Sequence, residues 1–108
     1  MVTSMEEDLH LGDKIVLSGF SDLDRSEMVV VKKVVGTYVK KFIEMDPDFQ
    51  ELSLHLKIVH EREQSVVFEI KGNYVSGSGN FNSNENGRNL YVILDLSLRK
   101  ILDMIKKD

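Results

Sequence analysis

Two clusters of cations are the residues of this chain best suited to chemistry with a polyanion. Lys33, Lys40 and Lys41 form one cluster, and Arg99, Lys100, Lys106 and Lys107 form the other. At helical spacing, Lys33, Thr37, Lys40 and Glu44 share a face opposite Val31, Val35 and Phe42, with Lys41 on its edge. Arg99, Lys106 and Lys107 project away from a Leu94–Ile101–Ile105 stripe, with Lys100 at its margin. Two such faces side by side would straddle phosphates, to which lysine and arginine give most of the sequence-independent affinity. The same residues also suit a solvated helix surface, the last-turn cations stabilising the helix dipole. The residues alone leave both readings open.

Other reactive side chains do not assemble into a motif. His10, His55 and His60 lack metal-ligand spacing; His55 and His60, five apart on one strand, point to opposite faces. The chain has no cysteine, which removes disulfides, thiolate ligands and thiol nucleophiles together. Gly77-Ser78-Gly79 has the first half of a dinucleotide fingerprint but runs into an Asn-rich stretch instead of a helix start. No pair of carboxylates shares a motif, and no nucleophile elbow accompanies the serines. The expectation is a protein that is not an enzyme, with no catalytic residue, no metal and no cofactor.

The elements that must position the cations follow from periodicity. Residues 14–20 read as a β-branched strand ending at Gly19. Asp24 and Glu27 resemble a capping box and open a helix over 25–44, which Asp46-Pro47 ends. Its many valines are poor helix formers, so packing must hold it. Residues 52–58 and 66–71 alternate strictly and read as an antiparallel hairpin around a polar turn at 61–64. Gly72-Asn73 reads as a turn into a weaker strand over 74–78, and 79–87 as a flexible polar loop. A final helix carries Leu90, Leu94, Leu98, Ile101 and Ile105 on one face. Val92 and Leu96 lie off that stripe. They can meet the first helix, complete the core, or form a contact surface. The fold class is α+β, in the order β-α-β-β-β-α, with two helices packed on one face of a four-stranded mixed sheet.

A length of 108 residues suits one domain, here 14–108, behind an acidic lead-in over 1–13. The lead-in holds Glu6, Glu7, Asp8 and Asp13 and no cation, which accounts for the net charge of −4. It lacks the basic start of a signal peptide, and no apolar run is long enough to cross a bilayer, so a cytoplasmic location is expected and no membrane partner.

The strand order and the last-helix pattern Asn89-Leu90-Tyr91-x-x-Leu94-Asp95-x-x-Leu98-x-Lys100-Ile101 resemble the ribosome hibernation-promoting factor family, also named ribosome-associated inhibitor or sigma-54 modulation protein. Asn89 stands where that family usually has Asp. Leu17-Ser18-Gly19, Leu54-x-Leu56-Lys57-Ile58 and Ile70-Lys71-Gly72-Asn73 extend the resemblance over about residues 14–107. It implies a short-form, cytoplasmic, stress-linked translation regulator that occupies the decoding channel of the small ribosomal subunit and holds idle ribosomes inactive. Lys41, Lys100, Lys106 and Lys107 would contact ribosomal RNA, with Lys33, Lys40 and Arg99 as neighbours. Tyr91 and Asp95 would orient the last helix against the loop and sheet, and Gly19 would close the first strand. The alternative is a protein-interaction module without RNA binding, possible as a homodimer through Val92, Leu96 and the exposed sheet face.

Overall fold

The structure is a computed structural model that describes residues 8–10, 14–60 and 65–106. Apart from the backbone of 8–10, the acidic lead-in lies outside the described residues, as do the expected turn at 61–64 and Lys107. Among the described residues seven elements follow one another: β1 (Asp8–His10), β2 (Ile15–Ser18), α1 (Arg25–Met45), β3 (Phe49–His60), β4 (Val66–Ser76), β5 (Gly79–Gly87) and α2 (Leu90–Lys106). From β2 onward this is the expected α+β order, with both helices against one face of a mixed sheet. The sheet runs β1-β2-β3-β4-β5, parallel between β2 and β3 and antiparallel elsewhere, so the short β1 adds an edge strand beyond the expected four.

Alternation decides which face is covered. Ile15 and Leu17 on β2, Leu52, Leu54 and Leu56 on β3, and Ile70 and Tyr74 on β4 point inward and are buried. Val31, Val35, Val39 and Phe42 of α1 and Leu90, Ile93, Leu94, Leu98, Ile101 and Leu102 of α2 close over them. At one end Phe42, Phe49 and Tyr74 make an aromatic cluster, with Phe49 stacked on Tyr74 at 4.9 Å and Phe42 edge-on to it at 5.1 Å. Each such pair adds about 0.5–1.5 kcal/mol beyond area burial.

Two expected connections are strand instead. Residues 72–73 do not turn: β4 passes straight through them, paired with β3 and β5 on either side. Gly72 serves close approach, since a Cβ there would lie 2.8 Å from Ser83 Oγ and 3.2 Å from Ile101 Cδ1. The expected loop over 79–87 is β5, antiparallel to β4 throughout. Its polar composition hides a period of two. Asn80, Asn82, Asn84 and Asn86 face out, while Phe81 packs on the core and Glu85 turns inward to Lys100. Gly19 has φ of +80°, and a Cβ would sit 2.1 Å from the Leu56 carbonyl oxygen, so only glycine suits that strand end. Among the described residues, no helix is long and apolar enough to cross a membrane.

Candidate nucleic-acid interface

Helix α1 opens on the expected capping box. Asp24 accepts from the Glu27 N–H at 2.8 Å, and Glu27 accepts from the Asp24 N–H at 2.9 Å. The Glu27 N–H, followed by the Ser26 hydroxyl, holds the Asp24 carboxyl below the usual carboxylate range. At the other end the Asp46 N–H bonds the Phe42 carbonyl at 2.8 Å, and Asp46 Oδ2 accepts from the Tyr74 hydroxyl at 2.7 Å. Burial pushes Asp46 upward, but the Ser76 and Tyr74 hydroxyls and the Asp48 N–H outweigh it and leave the carboxyl low. Burial, and then Asp46 itself, push the Tyr74 hydroxyl well above its ordinary range.

Between these anchors α1 turns Lys33 and Lys40 to solvent. Seven residues are two helical turns, so the two lie in one column about 10 Å apart. Val29, Lys33, Gly36, Lys40 and Ile43 form that outer column; Val29 is 50% and Ile43 52% exposed. Lys32, also exposed, widens it to one side. Lys41 lies toward α2 with its Nζ 5.4 Å from the Tyr38 ring centroid, a cation–π contact, and its charge helps to hold the Asp95 carboxyl low without forming an ion pair. Among the described residues, none of Lys32, Lys33, Lys40 and Lys41 is ion-paired.

Helix α2 presents a different surface. Asn89 caps it, its side-chain oxygen accepting from the N–H groups of Tyr91 and Val92 at 3.0 and 3.2 Å. Arg99 is paired with Asp95 at 2.6 Å, and Lys100 is paired with Glu85 of β5. Lys106 is exposed in the last turn, where a cation favours the helix dipole. The structure therefore brings Lys33, Lys40 and Lys41 together as free charge, and sets Arg99 and Lys100 against carboxylates.

Asp95 joins the two helices. Its Oδ1 accepts from the Tyr38 hydroxyl of α1 at 2.7 Å, while Oδ2 takes the Arg99 guanidinium. Arg99 first and Tyr38 second hold the Asp95 carboxyl low, and Asp95 in turn raises Arg99. Partial burial, and then Asp95, raise the Tyr38 hydroxyl. Asp95 thus orients α2 against α1 and not against the sheet. Tyr91 is 36% exposed, at the rim of a shallow hollow with Val92, Leu96 and Arg99.

Two participants carry no signal in the sequence. Tyr38 lies 57 residues from Asp95, and nothing local marks the pair. Lys32 precedes Lys33 and falls outside the Lys33–Lys40 column that helical spacing picks out. On the opposite, open face of the sheet, Ser18, His55, Lys71 and Asn84 line up in register across four strands, with Ser18 Oγ 3.0 Å from His55 Nδ1. Among the described residues, no group of histidines and carboxylates could hold a metal ion. No protein-family model matches the chain, and no curated protein matches it at a significant level.

Proposed function

We propose that this domain is a translation regulator of the cytoplasm that binds ribosomal RNA of the small subunit without reading base sequence and holds idle ribosomes inactive. The observation that carries the reading is the outer face of α1. Lys33 and Lys40 on that face, with Lys32 and Lys41 on its two flanks, are exposed and free of ion pairs among the described residues. The carboxylate of Glu27 is engaged at the cap, which leaves Glu44 as the exposed acid on that helix. The resemblance in strand order and last-helix pattern supplies the identity of the RNA. Such a protein works by occupying space, so no covalent step is required.

Co-sedimentation with purified small subunits over a salt series tests the reading. Binding is expected to fall steeply with salt, and Lys33→Glu with Lys40→Glu to flatten the log–log slope by about 1 for each phosphate no longer neutralised. Lys100→Glu is expected to weaken binding far less, because its charge is already spent on Glu85. Absence of binding at low salt would sink the proposal. The second reading, a protein-interaction module, is favoured by Val92, which is 58% exposed beside half-buried Leu96. Negligible RNA affinity at low salt, together with release of a protein partner by Val92→Asp, would support it.

A further inference from the structure

We infer that β5 is a dimerisation edge, pairing antiparallel with β5 of a second copy of this chain to continue the sheet across a two-fold axis. The two edges of the sheet differ sharply. One ends in β1, three residues long, while the other ends in β5, nine residues long. A long edge strand offers a row of backbone N–H and C=O groups to any other strand, and proteins usually blunt it with lysine, proline or a bulge. β5 has none of these: it contains neither lysine nor proline, and its register with β4 is unbroken from Gly79 to Gly87. Its one charge, Glu85, points inward, a device that can itself discourage edge pairing, but here it is neutralised by Lys100.

The sequence of β5 is also self-complementary. Gly79-Asn80-Phe81-Asn82-Ser83-Asn84-Glu85-Asn86-Gly87 is nearly palindromic about Ser83. With a two-fold axis at Ser83, Asn80 falls opposite Asn86 of the second copy, and Asn82 opposite Asn84. Phe81 falls opposite Glu85, and Gly79 opposite Gly87. Every outward pair is then asparagine on asparagine, and no charge meets its like. This is the isologous match that a two-fold interface demands, in which residue i meets j and j meets i. Room for the incoming strand is present. A hollow of about 430 Å³ runs beside Asn82, Ser83 and Asn84, walled by Lys100, Asp103 and Met104 of α2. The pairing surface does not include the lysines of α1, so the inference does not rest on RNA binding.

Sedimentation velocity of the full chain across the micromolar to millimolar range tests it. The mass is expected to climb from 12.4 kDa toward twice that value. Asn82→Asp with Asn84→Asp sets carboxylates directly opposite across the axis and is expected to hold the chain monomeric. Both positions are exposed, and position 84 faces Lys71 within the monomer, so the fold should be kept; the urea midpoint checks this. Asn82→Lys with Asn84→Asp restores opposite charges only in the register centred on Ser83, and is expected to recover the dimer. A wild-type chain that stays at 12.4 kDa throughout overturns the inference. So does a folded Asp/Asp variant that dimerises like wild type, which would move the contact to another surface. A folded Lys/Asp variant that remains monomeric overturns the register.

Discussion

Both helices cover the same sheet face, yet they hold their cations and their cores differently. α1 buries three valines and Phe42, and leaves Lys32, Lys33, Lys40 and Lys41 free of ion pairs among the described residues. α2 buries leucines and isoleucines, and two of its cations are bound to Asp95 and Glu85. Availability of charge is therefore set by what stands alongside each cation, one helical turn away for Arg99 and on β5 for Lys100, and residue type alone does not reveal it. The same contrast divides structural work. α2 carries the larger side chains, while α1 depends on its caps and on the aromatic end of the core.

The sharpest way to break that contrast is to cut one buried side chain from each helix. Leu98 and Val35 are both 0% exposed. Leu98→Ala is expected to cost about 2–5 kcal/mol, from the forfeited transfer energy and the cavity left behind. Val35→Ala removes two carbons where Leu98→Ala removes three, and should cost about 2–3 kcal/mol at roughly 0.8 kcal/mol per buried carbon plus a smaller cavity term. Urea unfolding at constant slope measures both. Equal losses would show that α1 contributes as much core energy as α2.

A smaller effect separates the two tyrosine–aspartate bonds, each 2.7 Å long. Tyr74 is fully buried, whereas Tyr38 lies at the half-buried seam between the helices. Tyr74→Phe is expected to cost about 1–1.5 kcal/mol and Tyr38→Phe less, since water can replace the second bond. Asp46 and Asp95 both have carboxyl groups held below the usual 3.8, so the fold favours their ionised forms. Their contribution is present above that value and is lost as pH falls through the lowered folded-state value. The gap between wild type and Tyr74→Phe should therefore be widest above about pH 4 and narrow on acidification. Both tyrosine hydroxyls are raised, so their share persists below pH 10 and fades only at higher pH. A gap that does not change with acid would remove Asp46 from the account.

How much of this is legible in the sequence depends on the range of the interaction. The helices, the capping box and the alternating parts of β3 and β4 rest on local spacing, and the structure has them where that spacing points. β5 escapes a reading by hydrophobic pattern because its inner row holds Gly, Phe, Ser and Glu, so hydrophobicity does not alternate even though the side chains do. Gly72-Asn73 suggests a turn because glycine and asparagine favour turns locally, whereas Gly72 is there to let Ile101 and Ser83 come close. Lys33 and Lys40 fall on one face by their spacing of seven. The Asp95–Arg99 pair is an i,i+4 spacing within one helix and is legible locally. The neutralisation of Lys100 cannot be read off, since the Glu85–Lys100 pair depends on how α2 crosses β5.

The smallest expected effect concerns the outer face of α1 itself. Gly36 sits in the middle of a 21-residue helix, and a Cβ built there meets nothing within 4 Å. Its backbone is helical, so alanine fits without strain and reduces the freedom of the unfolded chain. Gly36→Ala should therefore stabilise the domain by about 0.5–1 kcal/mol, read as a rise in the urea midpoint without a change in slope. The new methyl group would stand between Lys33 and Lys40 on the outer column, where a phosphate backbone would have to approach. Under the proposed reading the free protein gains stability while RNA affinity stays level or falls. A gain in stability with unchanged affinity would mean that the lysines reach past position 36 to the phosphates. A loss of affinity that grows on going from alanine to valine at that position would mean that the backbone of α1 itself lies against the RNA.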